Sequence, residues 1–406
     1  KTRRIEIKEE KLKKSKLFYK GLLITFIVFV LIFTRDVDFA ETVENNIVIG
    51  KRVKLYSEIL EEERILEISL PANYQNSKVE YPVLFVLDGG NIFRYCVSVV
   101  RMIAPNHLPH LIVVGIPNTN RRRDLDPNDK KNTPPHKGAS QFLKFMETEL
   151  IPFIEKEYRA LPFRLITGHS LAGFFTIHTF LYKPELFNAF IATSPSLWIP
   201  EDNDYLKKVQ NILDKKSFTN KFLYFSVGEI ESEKIIKGNQ RFAEILKEKL
   251  VNGIRWNHDL LENEGHIPIK GFYAGMRELY KDWLISLELI INPDLKEIQK
   301  HYKTLSKSFG YKILPPESLI NTLGYRLLNK KKIAEAIELF KYNVEKYPKS
   351  WNVYDSLGEA AMKQGDKPLA LKSYQIALKL NPRKTPAEKR IYKQQEQTIK
   401  QLKEGK

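Results

Sequence analysis

Short apolar runs alternate with helix-like stretches through the middle of the chain. Residues 81–87, Tyr-Pro-Val-Leu-Phe-Val-Leu, are apolar without interruption, as expected for a strand buried on both faces. Strand-like runs also occupy residues 163–167 and 222–227, and helix-like runs follow at 174–181 and from Phe272. This alternation predicts an α/β domain with a mostly parallel sheet and helices on both faces.

A repeat with a period of 34 residues follows the α/β stretch. The matched positions are Leu323 with Leu357, Gly324 with Gly358, Ala336 with Ala370, Phe340 with Tyr374, and Pro348 with Pro382. The pattern resembles the tetratricopeptide repeat, in which each unit is a pair of helices. It predicts repeats at about 317–350 and 351–384 within a helical domain at 295–406. This domain either binds a partner protein in a groove or buttresses the α/β domain.

The N-terminal region combines a basic flank with an uncharged apolar run. Residues 1–20 contain nine basic and three acidic residues, and residues 21–34 contain no charged side chain. Residues 17–34 therefore predict a membrane segment whose basic flank stays in the cytoplasm. We expect an uncleaved anchor, with the rest of the chain periplasmic or extracellular. Secretion after signal cleavage is the alternative, although Asp38 fits poorly before a cut at Ala40.

Positive charge is concentrated at the two ends of the chain. The formal net charge is +17, yet 24 basic and 11 acidic residues fall in 296–406, and the stretch between the two ends is nearly neutral. The basic residues of the repeats have helical spacing, which suits solvated helix faces or attraction to an anionic membrane surface. No nucleic-acid-binding motif accompanies them. We therefore expect no nucleic-acid partner. The single cysteine, Cys96, makes no internal disulfide, so stability must come from burial of the core.

A serine between a predicted strand and a predicted helix is the first candidate for chemistry. The segment reads Gly168-His169-Ser170-Leu171-Ala172-Gly173. A serine hydroxyl becomes an effective nucleophile on a sharp strand-to-helix turn, where a histidine reaches it and the helix N-terminus faces a developing oxyanion. The pattern predicts a nucleophile elbow with Ser170 as the nucleophile, although Ala172 replaces the usual final glycine. His169 is interpreted as structural, because neighbouring residues on an elbow diverge.

Acidic residues and then a histidine follow the elbow, each after a later strand-like run. The run at 222–227 ends at Gly228-Glu229-Ile230-Glu231, and a later loop contains Gly265-His266. A serine nucleophile of the elbow type takes its acid and its histidine from the chain in this order. His266 is the predicted base, with His258 as its rival in the preceding strand. Either Glu229 or Glu231 is placed to orient the histidine.

Two backbone amides are predicted to bind the oxyanion. The run at 81–87 ends at Asp88-Gly89-Gly90, a turn that can present an N–H group. The second amide belongs to Leu171, because the first amides of a helix have no partner within that helix. Gly90 and Leu171 are therefore the predicted donor pair.

These blocks together resemble the esterase D-like branch of the α/β hydrolases, which includes siderophore esterases, feruloyl esterases and bacterial mycolyltransferases. The resemblance covers roughly residues 45–290. Further matching segments are Val114 to Asn118, Arg121, Arg123 and Asp124, Glu147 to Tyr158, and Ser194 to Trp198. It implies an α/β-hydrolase fold and a serine carboxylic ester hydrolase that acts on a small-molecule ester through an acyl-enzyme.

The resemblance also bears on individual residues. It implies that Gly90, after the Asp-Gly pair, supplies an oxyanion amide, and that Glu231 is preferred to Glu229 as the acid. Arg121, Arg123 and Trp198 are candidate substrate contacts. The alternative for the two arginines is ion pairing within their own charged segment.

No cofactor is expected for this chemistry. His107 and His110 do not predict a metal site, because no third ligand or cysteine cluster lies near them in sequence. Two alternatives to hydrolysis stay open. The acyl-enzyme can transfer its acyl group to a sugar or lipid alcohol, or the chain can be a membrane-tethered, non-catalytic scaffold that binds partners through its repeats.

Overall fold

The computed structural model describes residues 46–404, apart from residues 73, 76, 106, 128–137, 198–203 and 250–252. The predicted basic flank at 1–20 and the predicted membrane segment at 17–34 lie outside the described residues. Within the described part of the chain, no helix has both the length and the apolar character needed to cross a bilayer.

Eight strands of the described residues form one mostly parallel sheet. They are β1 Lys51–Ser57, β2 Glu62–Ser69, β3 Tyr81–Leu87, β4 Ile112–Ile116, β5 Ala160–His169, β6 Ala189–Thr193, β7 Lys221–Gly228 and β8 Ile254–Leu261. Their order across the sheet is β1-β2-β4-β3-β5-β6-β7-β8. β2 is antiparallel to both of its neighbours, and every pair from β4 to β8 is parallel.

Helices connect the strands and cover both faces of the sheet. They are α1 Gly89–Ile103, α2 Arg121–Leu125, α3 Ala139–Phe145, α4 Ile151–Glu157, α5 Leu171–Tyr182, α6 Asp204–Lys215, α7 Glu233–Lys249 and α8 Ile269–Leu279. A π-helical turn, Met146–Leu150, joins α3 to α4, and a short 3₁₀ helix spans Pro184–Leu186. The predicted α/β architecture with helices on both faces is confirmed.

The central strand β3 shows why its sequence lacks the alternation of a half-exposed strand. Val83, Phe85 and Leu87 enter a core that includes α3 to α7, whereas Leu84 and Val86 enter a second core with α1 and α8. All seven residues of β3 are buried. Successive side chains of a strand point to opposite faces, so a strand covered on both sides must be apolar throughout.

The strand order brings four loops to one edge of the sheet. β3 lies beside β5, with Val86 opposite Thr167, and β6, β7 and β8 follow in order. Parallel strands end at the same edge of a sheet, and ligand sites of open α/β sheets lie at that edge. The loops after β3, β5, β7 and β8 carry the predicted site residues, so this edge is where they can meet.

The chain continues as a series of helices. These are α9 Leu287–Ile291, α10 Leu295–Phe309, α11 Glu317–Asn329, α12 Ile333–Lys346, α13 Trp351–Gln364, α14 Lys367–Leu380 and α15 Pro386–Lys403. The pair α11 and α12 begins at residues 317 and 333, and the pair α13 and α14 begins at 351 and 367. Both helices of the second pair therefore start 34 residues after their counterparts.

Each of these two helix pairs packs closely at a glycine. A Cβ on Gly324 would lie 2.5 Å from Cε1 of Phe340, and a Cβ on Gly358 would lie 3.0 Å from Cε1 of Tyr374. The repeated glycine and aromatic therefore mark the same helix-to-helix contact in both pairs. This contact gives a physical reason for the recurrence of these residues in the sequence.

Helix α10 joins the helical region to the α/β domain. Its buried residues belong to the same apolar core as α1 and α8. The Phe309 ring stacks on Tyr280 with 5.1 Å between ring centroids, and it meets Phe163 of β5 edge-on at 5.2 Å. Aromatic contacts of this kind stabilise beyond the area that they bury. The helical region and the α/β domain thus share one core.

Replacing Phe309 with alanine is expected to lower the free energy of unfolding by about 3–5 kcal/mol, as for other buried aromatic truncations. Urea unfolding followed by circular dichroism measures this loss. Lys303→Ala is the matched control, because Lys303 is an exposed residue of the same helix. We expect the control to change stability by less than about 0.5 kcal/mol. A Phe309→Ala protein as stable as the wild type would contradict the shared core.

Candidate active site

Ser170 stands on a strained turn between β5 and α5. Its backbone has φ 60° and ψ −117°, a conformation that residues with a side chain rarely adopt. The Ser170 amide donates to the Thr193 carbonyl at 3.0 Å, which ties the turn to the end of β6. The strand, turn and helix therefore form the predicted elbow, with the serine at the edge of the sheet.

Small residues around Ser170 permit the sharp turn. A Cβ on Gly168 would lie 2.3 Å from the Ala172 carbonyl oxygen, so no larger residue fits at position 168 without movement of the backbone. Ala172, which replaces the usual final glycine, is fully buried in the core. The alanine is thus accommodated by the packing of α5.

Glu231 and His266 form a direct pair at the same edge. The distance between His266 Nδ1 and Glu231 Oε2 is 2.6 Å. The carboxylate side chain is 1% exposed, whereas the imidazole side chain is 41% exposed. Glu229 instead accepts the Asn263 amide at 3.1 Å. Of the two carboxylates that the sequence left open, the structure therefore brings Glu231 to the histidine.

Close packing of two loops makes this pairing possible. A Cβ on Gly228 would lie 2.3 Å from the Glu264 carbonyl oxygen, and the Ile230 amide donates to that oxygen at 2.9 Å. The loop after β7 therefore lies directly against the loop after β8. The contact fixes the two chain segments that carry Glu231 and His266.

The Glu231 carboxylate is held in its ionised form. Burial alone raises its pKa, but hydrogen bonds from His266, Ser194 and the Gly228 amide favour the charged form more strongly. The pKa of Glu231 accordingly lies below its ordinary value. An ionised carboxylate on Nδ1 fixes the orientation of the imidazole and directs the other ring nitrogen away from the acid.

Ser170 and His266 lie at the same edge of the sheet, but no hydrogen bond joins them in the described structure. Ser170 Oγ lies 3.3 Å from Ser196 Oγ. The His266 ring packs against His169, the residue before the serine, with 4.5 Å between ring centroids. Catalytic hydrogen bonds are often long in unliganded enzymes and tighten when the substrate binds.

The other histidines near the site have structural surroundings. Burial, followed by the nearby His266, lowers the pKa of His169 to about 4, so this ring is neutral at pH 7. His258 lies within β8, where its ring stacks on Phe225 at 4.6 Å between centroids. Burial lowers the pKa of His258 to about 4. Both positions agree with the structural interpretation of these histidines.

The two predicted oxyanion amides belong to the first turns of two helices, Gly90 to α1 and Leu171 to α5. Asp88 precedes α1 with φ 56°, and its carbonyl accepts the amides of Asn91 and Ile92. Within the described residues, neither the Gly90 amide nor the Leu171 amide donates to the protein. Unpaired amides at a helix N-terminus suit a developing negative charge. Gly90 lies at the end of β3 and Leu171 at the end of the neighbouring β5.

Arg121 links the two segments that carry these amides. Its Nε and Nη2 each donate to the Asp88 carboxylate at 2.8 Å, and Nη2 also donates to the His169 carbonyl at 3.3 Å. Asn118 donates to Asp88 at 2.6 Å. The Arg121 side chain is 40% exposed, and its hydrogen bonds join the turn after β3 to the elbow.

Arg123 belongs to a second ion network, with Glu62, Asp124 and Arg64. Its guanidinium donates to both oxygens of Glu62, at 3.0 and 2.7 Å, and to Asp124 at 2.6 Å. Arg64, whose side chain is 1% exposed, bonds to Glu62 and Asp124 at 2.8 Å each. These contacts make the Arg123 guanidinium a structural group. Asp124 lies in the same charged segment, as the alternative to substrate contact expects, and Glu62 lies in β2.

This network predicts a pH dependence of stability. The hydrogen bond from Arg123 is the main cause that lowers the pKa of Glu62 from 4.5 to about 2. A carboxyl whose folded pKa is depressed stabilises the fold above pH 4.5 and loses that contribution as the pH falls towards 2. The Glu62→Gln variant is therefore expected to have a lower urea midpoint than the wild type at pH 7. Its urea midpoint should also fall less than that of the wild type between pH 4.5 and pH 2.

Urea midpoints at several pH values test this expectation. Glu63→Gln is the control, because Glu63 is 51% exposed and pairs with Lys54, which is 71% exposed. Such surface pairs contribute little to stability. Equal acid sensitivity of Glu62→Gln and wild type would contradict the structural role of the network.

Two further expectations concern ligands. Trp198 lies outside the described residues, so its predicted substrate contact stays a prediction. In the described part of the chain, no group of three or more His, Cys, Asp or Glu side chains is placed to hold a metal ion.

Two site residues have roles that the sequence did not suggest. Ser194 donates to Glu231 at 2.5 Å, and Ser196 lies beside Ser170. The signal that points to them is their position in Ser194-Pro195-Ser196, directly after β6, the strand between the elbow and the acid loop.

Comparisons with known proteins show the fold class and the family of this chain. The fold resembles that of an IroE-like serine hydrolase from Shewanella oneidensis, with a TM-score of 0.64 and 26% identity over 73% of this chain and 99% of that chain. An uncharacterised protein from Capnocytophaga ochracea has 18% identity and a TM-score of 0.62, with 87% of this chain and 99% of that chain covered. The chain thus has an α/β-hydrolase-like fold, followed by further helices.

The family follows from sequence. Residues 57–252 match the family model described as "Putative esterase". The ferri-bacillibactin esterase BesA of Bacillus subtilis is 30% identical over 217 residues, which cover 47% of this chain and 74% of that protein. The chain belongs to this esterase family, and its relatives support ester hydrolase activity.

Proposed function

We propose that this protein is a serine esterase that hydrolyses carboxylic esters through an acyl-enzyme. The observation that carries the proposal is the 2.6 Å contact between Glu231 and His266 at the sheet edge where the elbow presents Ser170. A carboxylate-oriented imidazole next to a serine elbow is the arrangement that serine hydrolases use. Membership of the esterase family supports an ester as the substrate.

In the first step, Ser170 Oγ attacks the acyl carbon and His266 takes the hydroxyl proton. Glu231 engages Nδ1 of the imidazole, so Nε2 is the nitrogen available to the serine. In the resting structure Ser170 Oγ lies near Ser196. A rotation about the Ser170 Cα–Cβ bond exchanges this partner for His266 when the substrate binds.

Charge that develops on the acyl oxygen is stabilised by the Gly90 and Leu171 amides. Both amides are free of protein acceptors among the described residues, and each lies at a helix N-terminus. Preorganised donors of this kind act mainly on the transition state, because the charge that they bind is absent from the ground state. Arg121 supports the pair by joining Asp88 to the His169 carbonyl.

The second half of the reaction releases the acid. After His266 has given its proton to the departing alcohol at the end of the first half, the imidazole takes a proton from water as the water attacks the acyl-enzyme. The tetrahedral intermediate collapses, His266 returns the proton to Ser170 Oγ, and the carboxylic acid leaves. Every proton is carried by the imidazole, so the scheme needs no cofactor.

A siderophore ester is the first substrate class to test. BesA is named for ferri-bacillibactin, and the chain resembles it over most of the length of that relative. The test is a panel of siderophore, feruloyl, acetyl-sugar and short p-nitrophenyl esters, assayed for release of acid and alcohol. We expect turnover with equal yields of acid and alcohol. Absence of turnover by folded protein on every ester would overturn the proposal.

The same assay separates hydrolysis from acyl transfer. Added sugar or lipid alcohols intercept an acyl-enzyme only if they compete with water for it. We expect acid to stay the main product when such acceptors are present. A shift of the acyl group to the acceptor alcohol would identify a transferase that uses the same residues.

The location of the enzyme is proposed from the sequence of its N-terminal region. We propose that residues 17–34 anchor the chain in the cytoplasmic membrane, with residues 45–406 outside the cytoplasm, because the basic residues of the flank stay inside. Carbonate extraction of cells that produce the full chain is expected to leave it in the membrane pellet. Release of a shortened protein would favour a cleaved signal.

The helices after α10 are proposed to be a tetratricopeptide module with two repeats. The 34-residue offset between the two helix pairs and the repeated contact between glycine and aromatic ring support this assignment. Their shared core with the α/β domain favours a buttress over an independent partner-binding stack. A crystal structure in which the two helix pairs are packed differently would contradict the assignment.

A further inference from the structure

Ser194 lies between the elbow and the acid loop. It follows β6, which is flanked by β5 on one side and β7 on the other. Its side chain is enclosed, with 3% of the residue exposed, and its backbone has φ 46°. The Ser194 amide donates to the Ser226 carbonyl of β7 at 2.7 Å. A residue other than glycine at positive φ is uncommon and calls for a local explanation.

The explanation is the contact between the Ser194 hydroxyl and the Glu231 carboxylate. Ser194 Oγ lies 2.5 Å from Glu231 Oε1, and the Gly228 amide donates to the same oxygen at 2.9 Å. Glu231 Oε2 is left to His266. Two donors on one oxygen prevent the carboxylate from rotating about its Cγ–Cδ bond, so the second oxygen faces the imidazole.

The segment that carries this hydroxyl is itself held firmly. Asn239, a fully buried residue of α7, donates to the Pro195 carbonyl at 3.1 Å. The Ser196 amide donates to the Ser170 carbonyl at 3.1 Å. The segment from Ser194 to Ser196 therefore touches the acid at one end and the elbow at the other.

We propose that Ser194 is a positioning residue that orients Glu231 towards His266. The inference rests on the proposed serine esterase function and deepens it, because Ser194 acts on the reaction only through Glu231. Removal of the hydroxyl leaves one donor on Oε1 and allows the carboxylate to turn away from the histidine. The imidazole then spends less time in the orientation that accepts the Ser170 proton, so kcat falls while KM is unchanged.

The first test compares Ser194→Ala with a matched control. Ser57→Ala removes another buried hydroxyl that donates to a carboxylate, since Ser57 Oγ lies 2.5 Å from Glu149 Oε2. We expect Ser194→Ala to lower kcat roughly tenfold, the size expected for a lost hydrogen bond to a charged group. Ser57→Ala should leave kcat unchanged, whatever it does to the melting temperature.

The Ser194→Gly variant tests the same hydroxyl in case Ser194→Ala does not fold. Glycine removes the same hydroxyl but adopts positive φ without strain, so this variant is expected to fold at least as well as Ser194→Ala. The same loss of kcat in both variants is expected. Wild-type kcat in a folded Ser194→Gly protein would overturn the proposal.

A double-mutant cycle shows whether Ser194 acts through Glu231. In a Glu231→Ala background the carboxylate is gone, so adding Ser194→Ala should change kcat less than twofold. A purely structural role for Ser194 would instead give the same loss in both backgrounds, and that result would contradict the proposal. The Ser170→Ala variant separates the two hypotheses. If the serine esterase mechanism is wrong, Ser170→Ala keeps its activity. If only the role of Ser194 is wrong, Ser170→Ala is inactive.

Discussion

Ser170→Ala is expected to lower kcat for a short p-nitrophenyl ester by at least about 10⁴-fold, because the nucleophile of the proposed acyl-enzyme is lost. The substitution removes one hydroxyl whose hydrogen-bond partner in the described structure is Ser196, at 3.3 Å. The fold should therefore be preserved. Steady-state assays of folded wild type and variant measure the effect.

A second substitution at this position separates chemistry from stability. The backbone of Ser170 has φ 60° and ψ −117°, which glycine adopts more readily than serine. Ser170→Gly is therefore expected to be inactive and yet more stable than wild type by roughly 1 kcal/mol. Ser98→Ala, which removes an exposed hydroxyl bonded to the Arg94 carbonyl of α1, is the control for activity. Retained hydrolysis by the folded Ser170 variants would contradict the proposed mechanism.

His266→Ala is expected to lower kcat about 10³-fold or more, because one imidazole serves as base in the first half of the reaction and as acid towards the leaving alcohol. The removed ring is 41% exposed. The vacated space is thus open to solvent, and added imidazole should restore part of the activity. Rates measured against imidazole concentration test both expectations.

His258→Ala is the matched control for the second prediction. Its half-buried ring stacks on Phe225 within β8, so the variant should be less stable, with kcat per folded molecule unchanged. Glu231 remains in both variants. An activity loss in His258→Ala larger than that in His266→Ala would show that the base was assigned to the wrong histidine.

The local parts of the candidate site could be predicted from the sequence. The elbow around Ser170 depends on small residues within a few positions of the serine, and Gly168 shows why, since a Cβ there would meet the Ala172 carbonyl at 2.3 Å. The uninterrupted apolar character of β3 likewise follows from burial on both faces of a parallel sheet. Short-range geometry of this kind restricts which residue types can occupy single positions, so it can be recognised in the sequence.

Contacts between distant segments were harder to predict. Glu229 and Glu231 are equivalent by composition, and only the packing of the β7 loop against Glu264 determines which one meets His266. The partner of Arg123, Glu62, lies 61 positions away in sequence. Side-chain pairing across a sheet depends on strand order, which a single sequence specifies only indirectly.

The same reason explains the role of Ser194. Its hydroxyl reaches Glu231, 37 positions later, because β6 lies between β5 and β7. The helical repeat was predicted from its period, but its attachment through Phe309 required the packing of rings from three separate elements. In each case the sequence pattern predicts the element, and the sheet order determines what it touches.

If Ser170 is the nucleophile, a fluorophosphonate probe modifies Ser170, and mass spectrometry can identify the modified residue. Protein labelled to completion is digested, and the modified peptide is sequenced by mass spectrometry. We expect one adduct per chain, on Ser170, and no adduct in Ser170→Ala. An adduct on another residue, or labelling that persists in Ser170→Ala, would contradict the assignment of Ser170 as the nucleophile.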